Sequence, residues 1–298
     1  MGGTRTVMME QEGDILYIAF RGSAGTKDWA DNSHFGLVQL QGHKEEEKVH
    51  RGFHERAESI LKDLLVKIPE ELPKTFVITG HSLGAALSQV VYIQLKDKIM
   101  EARNLKEFNS KIINISFAGP VVGNMDLRRR LLDDDKAKNM YHFVLAEDII
   151  PAAPFYRHAY QRLPEPQNGF RKQDWYQGML NMVFQVLGEG KVPDEYQDLF
   201  VPPMYEQPVY DNDSSMEPYA PIGNYLYIKD GKLYELPFDT DPQAVAQTLI
   251  NILEVMRQMA SVQALTHPKV KMGHPLVVKL RADHWIKNYD DKLAAFDI

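Results

Sequence analysis

Short β-rich runs alternate with helical apolar patterns along the first part of the chain. The run from Asp14 to Phe20 is typical of a strand, and the apolar positions between Phe53 and Ile68 recur at helical spacing. Pro69 ends that predicted helix. Further strands are predicted at 75–79, 112–117 and 140–145, and a further helix at 85–99. Strands that alternate with helices predict a mostly parallel sheet flanked by helices, the α/β class.

The pattern changes after Pro151. The run from Trp175 to Leu187 is largely apolar, and a stretch rich in proline and acidic residues follows it. Two β-rich runs flank Lys229 to Lys232, which predicts a hairpin. Asp241, followed by a proline in the first turn, then predicts the start of a helix that extends to about Ala264.

Composition narrows the possible chemistry. The 298 residues include no cysteine, which excludes a thiol nucleophile, a disulfide framework and a cysteine metal site. Hydrophobic residues make up 44% of the chain, as in ordinary globular proteins. The net charge of −7 argues against nucleic acid as the main partner.

The start of the chain is polar, and its first apolar run is short. A signal peptide has a basic start and a longer apolar core, so we expect a cytoplasmic protein. No stretch approaches the 18 consecutive apolar residues that a transmembrane segment needs. A transmembrane segment is therefore not expected.

The strongest motif is Gly80-His81-Ser82-Leu83-Gly84. It lies between a predicted strand and a predicted helix, which is the context of a nucleophile elbow. The serine occupies a sharp turn, and the two glycines allow the strand and the helix to approach closely. Free N–H groups at the start of the helix then face the oxyanion that forms during acyl transfer.

A nucleophilic serine requires a histidine base that is oriented by a carboxylate. In this context the chain order is serine, acid, histidine. Asp148 follows a predicted strand at the sheet edge where active sites gather, and it is the best acid after Ser82. Glu147 is its immediate rival.

Three histidines compete for the role of base. His284 lies just before a short predicted terminal helix, His274 lies ten residues earlier, and His158 is on a proline-rich connection. Chain order favours His284 over His274. His81 adjoins the serine, but its side chain is expected to point away from the serine and to pack against neighbours.

The oxyanion requires two hydrogen-bond donors. The backbone N–H of Leu83, directly after the nucleophile, is the first candidate. The second is expected in the loop after an early strand, where Ser23 offers a backbone N–H and a hydroxyl.

These residues together resemble the class 3 (fungal-type) lipases of the α/β-hydrolase superfamily. The similar segments occur in the family's order over roughly residues 14–155. They are 19–23, 28–29, Asn32, 49–53, 80–86, 117–120, 122–124 and 148–151.

The resemblance implies a serine carboxylester hydrolase that acts on acylglycerols or related lipid esters without a metal or other cofactor. It implies Ser82 as nucleophile, Asp148 as acid and Ser23 with Leu83 at the oxyanion hole. It also favours His284 as base, because the family's histidine precedes a tyrosine by a few positions. The expected partner is a lipid or ester substrate, including lipid at an interface with water.

The long interval between the acid and the base predicts insertions within a single domain over 1–298. Segments 165–218 and 238–272 are expected to form a cap over the serine or to pack on the core. A lid at 24–41 is compatible with the pattern. The arginines 128–130 are expected on a solvated helix face, with contact to anionic headgroups as the alternative.

Other functions stay open. A phospholipase or an acyltransferase uses the same triad, so the residues do not separate these from a lipase or an esterase. A run at 219–227 is similar to plant lipase-like defence proteins, which keeps a non-catalytic binding or signalling module as an alternative. The sequence does not indicate an oligomeric state.

Overall fold

A computed structural model of the chain describes residues 6–22, 36–148, 150–153, 219–249 and 286–294. The strands are β1 (Val7–Glu12), β2 (Ile15–Phe20), β3 (Leu37–Gln39), β4 (Lys48–His50), β5 (Thr75–His81), β6 (Lys111–Phe117), β7 (Met140–Leu145), β8 (Asn224–Lys229) and β9 (Lys232–Leu236). The helices are α1 (Arg51–Lys67), α2 (Leu83–Arg103), α3 (Met125–Asp133), α4 (described over 242–249) and α5 (Ile286–Leu293), with a 3₁₀ turn at Ala137–Asn139.

Seven strands form one sheet in the order β1-β2-β5-β6-β7-β8-β9. The five strands from β2 to β8 in this order pair in parallel, and β1 and β9 add antiparallel edges. Strands β3 and β4 form a separate antiparallel pair. The predicted mostly parallel sheet with flanking helices is therefore confirmed.

Helix α2 is the centre of the core. Every residue from Leu83 to Leu95 is buried, and α2 packs against α1, β5 and β6. A mostly apolar helix is typical of such a position, and the polar Ser88, Gln89 and Gln94 are buried with it. Ser88 on this helix makes a polar contact with the sheet, because it accepts from the Asn114 side-chain amide at 2.9 Å. The same amide donates to the Ile78 carbonyl at 3.2 Å.

The local patterns predicted most of these elements. The predicted strands at 75–79, 112–117 and 140–145 are β5, β6 and β7, and the helix expected between Phe53 and Ile68 is α1. The hairpin is also confirmed, with positive φ at Asp230 (50°) and at the glycine after it (70°). These angles suit a tight two-residue turn. Strand β1 was not predicted, because only Val7 and Met9 are partly buried and its last three residues are exposed and polar.

The expectation of a solvated face for the arginines 128–130 is wrong for Arg128. Only 3% of this residue is exposed. Its guanidinium donates to the carbonyls of Pro221 at 2.7 Å, Phe238 at 2.9 Å and Thr240 at 2.7 Å. Burial lowers the pKa of Arg128 from its ordinary value. Arg128 therefore fastens the segments on both sides of the β8–β9 hairpin to α3.

The next two arginines do lie on an exposed face. Arg129 pairs with Asp126 at 2.6 Å and Arg130 pairs with Asp134 at 3.0 Å. Consecutive residues of a helix point in different directions, so one run of arginines serves two environments.

His142 is a buried polar residue on β7 with both ring nitrogens in hydrogen bonds. Nε2 donates to the Ile222 carbonyl at 2.6 Å, so Nδ1 accepts from the Ser116 hydroxyl at 2.5 Å. Complete burial lowers the pKa of His142 from 6.5 to about 4. The folded protein therefore holds the His142 ring in its neutral form.

This burial predicts a loss of stability in acid. The unfolded chain takes up the His142 proton near pH 6.5 and the folded chain only near pH 4. Unfolding therefore binds a proton between these values, and stability falls as the pH falls. Between pH 7 and 4.5 the wild type should lose about 2 to 3 kcal/mol more unfolding free energy than His142→Gln, in urea titrations.

Tyr141→Phe, at the exposed position before it, serves as the control and should keep the wild-type pH dependence. Equal pH dependence in the wild type and His142→Gln would show that His142 does not carry the effect.

Candidate active site

Ser82 occupies the turn between β5 and α2. Its φ of 59° and ψ of −124° place it in a backbone region that residues other than glycine rarely adopt. Such a conformation costs about 1 to 3 kcal/mol and persists only where the surroundings enforce it. Here the Ser82 N–H donates to the Phe117 carbonyl at 3.0 Å, and its carbonyl accepts from Ala85 N–H at 3.0 Å.

The glycines on either side of Ser82 have no room for a side chain. A Cβ at Gly80 would lie 2.3 Å from the Gly84 carbonyl oxygen. A Cβ at Gly84 would lie 2.2 Å from the carbonyl oxygen of Phe20, on the neighbouring strand β2. Both obstacles are backbone atoms, which cannot turn aside as a side-chain end can.

We therefore expect Gly84→Ala to destabilise the protein by about 3 kcal/mol or more, or to prevent folding, because the helix must move off the sheet. The measurement is the free energy of urea unfolding, with the yield of folded protein recorded beside it. Gly36→Ala is the matched control, because its Cβ would meet only the Arg51 side chain at 3.9 Å. A Gly84→Ala protein as stable as this control would contradict the close approach.

The two rival acids have different surroundings. Asp148 is 1% exposed, and its Oδ1 accepts from Ile150 N–H at 2.9 Å while its Oδ2 accepts from the Tyr289 hydroxyl at 2.7 Å. The Glu147 side chain is 32% exposed and pairs with Lys292 at 3.2 Å. Only Asp148 is thus held inside the protein in a fixed orientation.

Asp148 and the elbow lie at the same edge of the sheet. Strands β5, β6 and β7 are neighbours and end there, since Ser82 N–H bonds to the end of β6 and Ala118 N–H to Phe143 on β7. The Tyr289 ring stands edge-on to the His81 ring, with centroids 5.9 Å apart. One side chain of α5 therefore contacts both the elbow and the acid.

Tyr289 is a residue of this site whose contacts were not predicted. In the sequence it is notable only as the tyrosine that follows His284 by a few positions. Its hydrogen bond joins residues 141 positions apart, and no local pattern signals such a contact. His81 packs against Tyr289, in agreement with its expected packing role.

Leu83 begins α2, where the N–H groups have no acceptor within the helix. It thus offers a donor directly after Ser82. Ser23 and the three candidate bases His284, His274 and His158 lie outside the described residues, as do segment 165–218 and residues 250–272.

The described residues offer neither a metal-binding cluster nor a membrane-spanning helix. They contain no group of three or more histidine, aspartate or glutamate side chains that could hold a metal ion. In the same residues no helix combines the length and apolar character needed to cross a membrane.

Comparisons with known proteins find similarity to lipases and to a phospholipase. Residues 17–158 match the family model described as lipase (class 3). The chain is similar to the chloroplastic phospholipase A(1) DAD1 of Arabidopsis thaliana, with 28% identity over 158 residues. This match covers 47% of the chain and 33% of the relative, so the chain spans about a third of that protein's length.

Solved fungal structures give weaker likenesses. The triacylglyceride lipase of Rhizomucor miehei is 16% identical, and the match covers 87% of this chain and 73% of that one with a TM-score of 0.48. A lipase from Rhizopus microsporus var. chinensis is 16% identical, over 82% of this chain and 64% of the other, with a TM-score of 0.46.

Proposed function

We propose that the chain is a serine hydrolase of lipid carboxylesters, since residues 17–158 match the family model of the class 3 lipases. The observation that carries the proposal is the position of Ser82. It is held in a strained turn at the start of a buried helix, and Tyr289 links this turn to the buried carboxylate of Asp148.

The proposed reaction has two halves. His284, oriented by Asp148, takes the proton from the Ser82 hydroxyl while the oxygen attacks the ester carbonyl. The oxyanion accepts hydrogen bonds from Leu83 N–H and from Ser23. His284 then gives its proton to the leaving alcohol, which leaves an acyl-enzyme.

Water completes the cycle. His284 takes a proton from the water as it attacks the acyl carbonyl, and then returns that proton to Ser82 as the fatty acid leaves. Each proton is accounted for by the side chains and water alone, so the reaction needs no cofactor.

The choice of Asp148 rests on electrostatics. A buried carboxylate that accepts fixed hydrogen bonds can stabilise the positive charge that the base acquires. Glu147 pairs with a lysine near the surface, where water screens its charge. We therefore assign the acid role to Asp148.

The substrate class within this reaction is a finer proposal. Acylglycerols are the first candidate, and the relative named as a phospholipase A(1) supports phospholipids as the second. We further propose that segments 165–218 and 238–272 form a cap over the serine, which would shield an acyl chain from water.

The experiment compares hydrolysis by the wild type and Ser82→Ala. Substrates are p-nitrophenyl esters of graded chain length, a triacylglycerol emulsion and phosphatidylcholine vesicles. Ser82→Ala should lose at least about 10⁴-fold in kcat, because the nucleophile is removed. Ser59→Ala, at an exposed position on α1, should keep the wild-type rate.

A fluorophosphonate probe gives a second readout, since it reacts with an activated serine whatever the natural substrate. Wild type and Ser59→Ala should be labelled, and Ser82→Ala should not. Equal hydrolysis by the wild type and Ser82→Ala would contradict the proposal. A folded wild type without labelling or hydrolysis would instead support a non-catalytic module.

The acid and the base are tested in the same assay. Asp148→Asn should lower kcat by about 10⁴-fold, because the base loses the charge that orients and stabilises it. Glu147→Gln should stay within about threefold of the wild type, as expected for a screened surface pair.

Histidine variants resolve the open choice of base. His284→Ala should lose activity as severely as Ser82→Ala, since the two act as one unit. His274→Ala and His158→Ala should remain active. If His274→Ala or His158→Ala loses activity and His284→Ala does not, the role of base belongs to that other histidine.

A further inference from the structure

Tyr289 is fully buried, although it carries a polar hydroxyl. The hydroxyl accepts from Leu145 N–H at 3.2 Å and donates to Asp148 Oδ2 at 2.7 Å. Because a backbone N–H only donates, the single phenolic proton is directed to the carboxylate. The direction of this hydrogen bond is thus determined by its two neighbours.

The hydroxyl keeps its proton over the whole working range of pH. Burial raises the pKa of Tyr289 well above its ordinary value of 10, and the nearby charge of Asp148 raises it further. A neutral phenol that donates to a carboxylate forms a charge-assisted hydrogen bond, the stronger class in proteins. The donor is therefore permanent.

The bond fixes the plane of the Asp148 carboxylate. One oxygen is held by Tyr289 and the other by Ile150 N–H. A carboxylate oxygen has two lone pairs, so each can accept from more than one donor. Rotation about the Cβ–Cγ bond would break both hydrogen bonds at once.

The ring of Tyr289 is fixed as well. It stands edge-on to His81 at 5.9 Å and to Phe117 at 6.3 Å between centroids. These residues belong to the elbow strand β5 and to the end of β6. The Tyr289 ring thus packs on the two strands whose ends hold Ser82. This packing sets the distance of its hydroxyl from the elbow.

We infer that Tyr289 is a positioning residue for the acid, and this inference rests on the proposed ester hydrolysis. Its hydroxyl holds Asp148 in the orientation that the base requires and does not touch the substrate. The same bond docks α5, and His284 lies five positions before Tyr289 in the sequence. One contact thus serves both the acid and the segment that carries the proposed base.

The chain offers a matched control one turn further along α5. Lys292 pairs with Glu147 at 3.2 Å, so it also joins α5 to the loop after β7. Lys292→Met removes this docking contact and leaves Asp148 untouched. Tyr289→Phe keeps the ring packing and removes only the hydroxyl.

Both variants are compared with the wild type at a temperature where urea titrations show all three fully folded. Tyr289→Phe should lower kcat by about ten- to a hundredfold, in line with the loss of a hydrogen bond to a charged group. Its KM should stay within about twofold, because the residue does not bind substrate. Lys292→Met should keep kcat within about twofold.

The pH profile supplies a readout that a merely structural role would not move. Without the Tyr289 donor, the Asp148 charge acts more strongly on the base, so the acidic limb of kcat/KM should shift to higher pH. Lys292→Met should keep the wild-type limb.

Equal kcat and equal pH limbs for Tyr289→Phe and the wild type would overturn the inference. The proposed function would survive that result, because the wild type would still hydrolyse esters and label at Ser82. If the wild type neither hydrolyses nor labels, the proposed function itself fails and the inference falls with it.

Discussion

The whole site depends on how closely the start of α2 approaches the end of β5. At Gly80 and Gly84 the strand and the helix lie too close for any side chain, and Ser82 between them has a strained backbone conformation. Helix α2 stays in place because it is buried on every side from its first residue. The hydrophobic core therefore supplies the force that holds the strained residue, and the hydrogen bonds at Ser82 only direct it.

A second constraint is the convergence of distant segments at one sheet edge. Parallel strands end together, so loops that are far apart in the sequence become neighbours. Tyr289 of α5 then links the elbow to Asp148, while Arg128 fastens the hairpin to α3 through three carbonyls. Each link is a polar side chain in an apolar setting, where an unmatched partner is costly.

Local pattern and long-range contact explain what the sequence could and could not predict. Ser82 and strands β5 to β7 follow from motifs and periodicity within a few residues. The choice between Asp148 and Glu147 does not follow from local sequence. These adjacent residues differ in the α5 side chain that each contacts, which is Tyr289 for Asp148 and Lys292 for Glu147. Arg128 was misjudged for the same reason, since its carbonyl partners lie about a hundred residues later. An isolated window contains no information about such partners.

The φ of 59° at Ser82 bears on why position 82 holds a serine and not a glycine. At positive φ every residue with a Cβ is strained, and glycine alone escapes. A chain selected only for stability would therefore carry three glycines in this turn, at 80, 82 and 84. A hydroxyl stands at the middle one instead, at a site shaped to present it. Ser82 therefore costs stability that glycine would save, which agrees with the nucleophilic role proposed for its hydroxyl.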